Sequence, residues 1–265
     1  MNLRLLTALF KKDKLIVILG PTAVGKTALS LSLAKKYDTE IISGDSMLVY
    51  KGFNIGAAKP TDAELAEVKH HLIDILHPTE KYNVMDFCDA AAKIIKELND
   101  KGKIPILAGG TGLYVKSLLE GYEFSEDGTK STSSRFAATG ELVYDACVIG
   151  LRRERAELYK RINFRVVLMI ANGLFDEVEA LAKIGLSDSQ AMRGIGYKEV
   201  LRCLSGDITK EEAIEEIKKA TRHFAKRQFT WYKKMPYINW IDIDDLSEQE
   251  ILKEVCIEVE KHFGN

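Results

Sequence analysis

The sequence predicts an α/β fold: a parallel sheet with crossover helices, followed by a helical C-terminal part. Three observations carry this. Short aliphatic and β-branched runs alternate with helical patterns through the first half of the chain. A glycine-rich turn joins the first such run to the first helical pattern. In the second half, apolar residues recur every three or four positions over long stretches.

Taken in order, residues 5–10 read as a short N-terminal helix or arm, because charged residues follow at once and no small-residue cleavage site is present. Strands are expected at 15–19, 40–42, 72–75 and 104–108, and helices at 26–36, 86–98 and 113–120. Between 125 and 140 Ser, Thr and Gly displace the large apolar residues, which is the composition of a linker or loop. A strand at 144–150 then leads into helices at 153–172, 174–183, 195–204, 210–232 and 247–263, with a strand at 237–243. The chain thus divides into a first part of the core (1–122), a short linker (123–141) and the remainder of the core with basic C-terminal helices (142–265).

The 265 residues carry 38 Lys+Arg against 39 Asp+Glu, a net charge of −1. This excludes a uniformly basic nucleic-acid binder and leaves room for a locally basic one. A chain of this size buries roughly 70–75% of its unfolded surface, so it folds without disulfides or structural metal. Cys88, Cys147, Cys203 and Cys256 form no C-x-x-C pair, which points to a reducing, cytoplasmic setting. The longest apolar runs fall short of the ~20 residues a membrane span needs, so no membrane partner is expected.

Chemistry concentrates at Gly20, Pro21, Thr22, Ala23, Val24, Gly25, Lys26 and Thr27, which fit G-x-x-x-x-G-K-[ST] between a predicted strand and a predicted helix. Such a P-loop cradles phosphates with backbone N–H groups, a helix N-terminus and the Lys26 charge, and places Thr27 to coordinate Mg²⁺. The loop alone does not choose between a nucleoside triphosphate and a diphosphate leaving group. A kinase would add an apolar strand ending in Asp, and Leu72-Ile73-Asp74 fits that description. The run at 104–108 ends instead in Gly109-Gly110-Thr111-Gly112, a second glycine-rich turn facing the same crevice. Thr111 is placed there both to donate to phosphate and to cap the next helix. His70 and His71 are adjacent on an extended run, so their side chains diverge and share no metal.

Beyond these turns stand Ile42-Ser43-Gly44-Asp45-Ser46-Met47, Tyr50-Lys51, Ile55-Gly56, Ala58-Lys59-Pro60 and His70-His71-Leu72-Ile73-Asp74. The second half adds Arg161-Ile162-Asn163, Arg165-Val166, Glu177-Val178, Ala191-Met192 and Ile195-Gly196-Tyr197-Lys198-Glu199. Together, in order and over nearly the whole chain, these resemble the tRNA dimethylallyltransferases, also called tRNA isopentenyltransferases. The resemblance implies a P-loop NTPase-like fold that holds dimethylallyl diphosphate and Mg²⁺ and prenylates N6 of an anticodon-loop adenosine of tRNA. It implies Asp45, Thr111 and Arg165 as catalytic residues, Asp45 as general base and Arg165 as a phosphate clamp. Asp45, Ser46, Met47 and Leu48 would line the base pocket. Lys218, Arg222, Lys226 and Arg227 lie in a stretch free of acidic residues, the first three at i, i+4 and i+8, and would meet the tRNA backbone. A monomer is expected.

Three positions depart from the family's pattern. Residues 123–141 stand where the family carries a helical insertion of tens of residues, Leu48 replaces a usual glutamine, and Arg193 replaces another. Two alternatives are therefore kept beside the leading expectation. One is a prenyltransferase acting on free adenine nucleotides; the other is a divergent paralogue that binds RNA or diphosphate without catalysis.

Overall fold

The computed structural model describes residues 12–124 and 130–264, so the arm expected at 5–10 lies outside the described residues. In chain order, β1 (Lys14–Leu19) leads through the glycine-rich turn into α1 (Lys26–Lys36). Then come β2 (Ile41–Ser43), α2 (Asp62–Glu67), β3 (His70–His71), α3 (Val84–Asp100), β4 (Ile106–Ala108) and α4 (Gly112–Glu120). A hairpin of β5 (Tyr122–Phe124) and β6 (Lys130–Ser134) and the short α5 (Arg135–Thr139) precede β7 (Asp145–Arg152). The remainder is α6 (Arg155–Ala171), α7 (Leu174–Lys183), a 3-10 turn at Ala191–Arg193, α8 (Tyr197–Leu204), α9 (Lys210–Tyr232), β8 (Asn239–Asp242) and α10 (Glu248–Phe263).

Six strands form one sheet in the order β3-β2-β4-β1-β7-β8, and every pairing in it is parallel. β1 is central and, from Leu15 to Leu19, apolar and buried, as a strand covered on both faces must be. Leu15, Val17 and Leu19 enter one core while Ile16 and Ile18 enter the other, because alternate side chains of a strand point to opposite faces. Phe87, Ala91 and Ile95 of α3 pack on the first face, and Ile251, Val255 and Val259 of α10 on the second. Both halves of the chain therefore share one sheet, and the second half is not a separate domain. No helix among the described residues is long and apolar enough to cross a membrane.

Three expectations need correction. The strand expected at 72–75 is displaced to the two residues of β3, because Leu72 (φ 62°) and Asp74 (φ 53°) are in left-handed backbone that no strand accommodates. α2 was not expected: none of its side chains is buried, so it has no apolar period to read, and the Thr61–Glu64 capping box starts it. Within the linker expected at 125–140, the described part is paired strand and a helical turn. Ladder hydrogen bonds join backbone groups, which a Ser/Thr-rich composition does not announce.

Candidate active site

The crevice lies where β1, β2 and β4 end. Gly25 ends the first turn at φ 121°, a backbone few side-chain-bearing residues adopt, and α1 begins at the next residue. The first N–H groups of α1 thus have no partner within the helix and are available to an anion. Lys26 Nζ donates to the carbonyls of Gly20 and Pro21, both at 2.9 Å, within its own loop. Burial, and then the neighbouring Arg165 guanidinium, hold its ammonium down to about 8 against the opposing pull of Asp45. Burial also presses Arg165 below its ordinary range, again opposed by Asp45.

The second glycine turn lies directly against the end of β2. A Cβ on Gly109 would come within 2.4 Å of the Gly44 carbonyl, so only glycine lets the two backbones approach. Gly44 N–H donates to Ala108 O and Thr111 N–H donates back to Gly44 O. This seats Asp45 beside Thr111. Asp45 Oδ1 accepts Met47 N–H at 2.9 Å, and the Thr111 hydroxyl accepts Ser46 N–H at 3.0 Å and faces Ser46 Oγ at 3.3 Å. Thr111 occupies the N-cap position of α4 but makes no side-chain cap there; its hydroxyl orders the Asp45 turn instead.

Two cavities meet at this point. A smaller one of about 100 Å³ is lined by Thr22, Lys26, Thr27, Asp45, Leu48 and Arg165. A larger one of about 390 Å³ is lined by Asp45, Thr111, Arg165 and an apolar group including Val166, Met169, Ile195 and Ile217. Arg193, Lys198 and Arg227 also line the larger one. Thr22, Asp45, Ala57, Arg165 and Phe224 belong to both. Among the described residues Asp45 is the one acidic group lining either cavity, facing Lys26 and Arg165. The surplus of positive charge fits an anion at the loop and a reacting centre at the junction.

The sequence-predicted residues do not all converge. Ser46, Met47 and Leu48 line one or the other cavity, while Val24 is buried in the second core and Pro21 faces a different cavity. Of the basic residues, Lys218 pairs with Glu215 on its own helix and Arg222 donates to Asn163 Oδ1 of α6 at 2.6 Å. Lys226 faces away from the junction, whereas Arg227 lines the larger cavity with its guanidinium 5.8 Å from the Phe224 ring. Asp74, the anchor a kinase would use, is taken by Lys59 and lines neither cavity. His70 Nδ1 contacts Val68 O and His71 Nε2 contacts Glu40, so each has its own partner.

Several site-forming residues escape sequence reasoning. Gln228, buried in α9, accepts Thr22 N–H and donates to Gly110 O, both at 2.8 Å, tying the two glycine turns together. Tyr232, one turn on, donates to the same Gly110 carbonyl at 2.9 Å. The signal available was their i, i+4 spacing in an otherwise charged helix. On the other side, Glu177 of α7 accepts N–H bonds from Asn54, Ile55 and Gly56 and the Tyr197 hydroxyl proton. Tyr197 accepts Ala57 N–H in turn, at 3.0 Å. Burial and the Glu177 charge push the Tyr197 phenol up, so it remains a donor. The loop they hold supplies Gly56 and Ala57 to the cavity walls.

The family model described as IPP transferase matches residues 48–141 and 124–235. The chain belongs to the IPP transferase family. A relative in Carboxydothermus hydrogenoformans named tRNA dimethylallyltransferase is 41% identical over 302 residues, covering 93% of this chain and 97% of its own. That alignment is longer than the 265-residue chain, so the relative carries tens of residues this family member lacks. The crystal structure of tRNA delta(2)-isopentenylpyrophosphate transferase from Staphylococcus epidermidis superposes with a TM-score of 0.84 at 37% identity, covering 94% of this chain and all of that one. A eukaryotic dimethylallyltransferase acting on tRNA superposes at 0.81 with 25% identity, covering 96% of this chain and 80% of that one.

Proposed function

We propose that this chain transfers a dimethylallyl group from dimethylallyl diphosphate to N6 of an anticodon-loop adenosine of tRNA, at position 37, releasing diphosphate. The observation that carries this is the convergence of Lys26 and Arg165 with one carboxylate, Asp45, at the junction of a phosphate-loop cavity and a part-apolar one. Membership of a family whose relatives bear the name tRNA dimethylallyltransferase supports the acceptor class.

The diphosphate sits in the smaller cavity against Lys26, the loop N–H groups and Arg165, and the five-carbon chain lies toward Val166, Met169 and Ile195. Adenine enters the larger cavity with its amino group toward Asp45. Asp45 Oδ1 is engaged by Met47 N–H, so Oδ2 accepts the acceptor's N–H. The N6–C1 bond forms as the C1–oxygen bond breaks, the electron pair leaves on the diphosphate oxygen, and the N6 proton passes to Asp45. Lys26 and Arg165 stabilise the charge gathering on the leaving group. Thr27 lines this cavity beside Lys26 and offers one hydroxyl oxygen of the few protein ligands Mg²⁺ takes when phosphate oxygens and waters complete its shell, so the residue fits that ion. When bound, Mg²⁺ supplies further neutralisation of the departing diphosphate. The setting is cytoplasmic, in keeping with free thiols at Cys88, Cys147, Cys203 and Cys256.

The test is to supply labelled dimethylallyl diphosphate and Mg²⁺ with unmodified tRNA, AMP or ATP in separate incubations. Label in tRNA alone is the expected result. Label in a mononucleotide alone would replace the acceptor, and absence of label everywhere would overturn the activity.

A further inference from the structure

A third cavity, of about 280 Å³, lies behind the phosphate loop, on the opposite side of α9 from the site above. Phe224, Arg227 and Gln228 of that helix face the reaction cavities, whereas Ala225, Lys226 and Phe229 face this one. Pro21 is the phosphate loop's contribution to its wall, and Arg152, Arg153 and Arg155 come from the end of β7 and the start of α6. Lys233 completes a set of five cations. Among the described residues no acidic side chain lines it.

Most of that charge is not neutralised by partners nearby. Arg152 is fully engaged, with both guanidinium contacts to Asp242 at 2.5 Å. Arg153 has Asp244 at 3.7 Å and Glu157 nearby, but its buried Nε has no hydrogen-bond partner among the described residues. Arg155 donates to the Tyr159 hydroxyl at 3.2 Å with its guanidinium 5.2 Å from that ring. The Lys233 ammonium lies 5.0 Å from the Phe229 ring centre, and neither it nor Lys226 has an ion-pair partner among the described residues. Like charges gathered this way repel, and an entering anion relieves them. Pro21, Leu158, Ala225 and Phe229 give the cavity an apolar part as well. Its volume of about 280 Å³ sits just below the usual range of small-molecule sites, roughly 300–1,000 Å³, and suits one nucleotide rather than a folded partner.

We propose that this cavity binds a nucleotide, its phosphate on Arg153, Arg155, Lys226 and Lys233 and its base on the apolar part. Two sources supply that chemistry, a free nucleotide or a single nucleotide of an RNA strand crossing this face. The site is distinct from the diphosphate and acceptor cavities and does not depend on the reaction assigned to them.

The experiment is photoaffinity labelling of the full chain with 8-azido-AMP, with the labelled peptides mapped by mass spectrometry. Label is expected within 152–159 or, on α9, at Lys226, Phe229 or Lys233, and label at Arg227 or Gln228 counts instead for the reaction cavities. The double substitution Arg155→Gln with Lys233→Gln, both on exposed side chains, is expected to cut it about tenfold or more at an unchanged melting temperature. Lys26→Ala leaves that label in place. Excess unmodified tRNA that abolishes the label assigns the nucleotide to RNA, and label that persists assigns it to the free pool. Label confined to 20–27 and 43–48, label that survives the double substitution, or no label at all overturns the proposal.

Discussion

One contact decides what Asp45 is free to do. Its Oδ1 is spent on Met47 N–H, which orients the carboxylate and leaves the second oxygen for an acceptor. Asp45→Asn keeps the shape and that contact but is a far weaker base; transfer is expected to fall about 10²- to 10⁴-fold with the melting temperature unchanged, read by single-turnover prenylation. Wild-type rates in Asp45→Asn would remove the base from the mechanism. Lys26 titrates where experiment can reach it. Its folded value is lowered from 10.5 to about 8, so burying the charge costs stability below about pH 8, and that cost is relieved between about 8 and 10.5. Diphosphate needs the charged form. Its affinity is therefore expected to hold below about pH 8 and to fall above it by up to about tenfold per pH unit, measured by calorimetric titration with inorganic diphosphate. Affinity that rises above pH 8 would contradict the buried, Arg165-facing ammonium.

At the scale of elements, three helices of the second half reach back to build a site seeded in the first. α9 bridges the two glycine turns through Gln228, and α7 with α8 secures residues 54–57 through Glu177 and Tyr197. Glu177→Ala leaves three backbone N–H groups and a buried phenol without their acceptor. A stability loss of about 3 kcal/mol is expected, together with a rise in KM larger than the fall in kcat, because the loop lines the cavities but touches no reacting atom. Glu177→Gln, which keeps one acceptor oxygen, is expected to recover part of both; chemical denaturation and steady-state kinetics read the two effects. The helices themselves were legible in outline: 174–183 and 210–232 carry apolar periods and coincide with α7 and α9, and 26–36, which follows the glycine-rich turn, coincides with α1. Their partners were not. A helical period reports which face is apolar, not which polar group on it meets a turn 206 residues away, as Gln228 does at Thr22.

For the whole molecule, folding and ligand binding are linked through the sheet, because the crevice exists only when β1, β2 and β4 are aligned. Inorganic diphosphate with Mg²⁺, at about one hundred times its dissociation constant, should stabilise the fold by about 2.7 kcal/mol, or roughly 5–10 °C in a thermal melt. Lys26→Ala should abolish the shift, and a shift retained in that variant would place the anion elsewhere. By itself the sequence determined the parallel α/β plan, the phosphate loop and the second glycine turn, because each rests on local backbone demands written in consecutive residues: Gly25 at φ 121°, apolar strands, periodic helices. Only the tertiary structure decided which cations reach the crevice and which pair off or face the far side of α9. It alone also showed that Asp74 is taken by Lys59 and that one carboxylate stands at the junction of two cavities. Those outcomes depend on side chains distant in sequence meeting in space, where burial and opposing charge, not spacing along the chain, set what each group does.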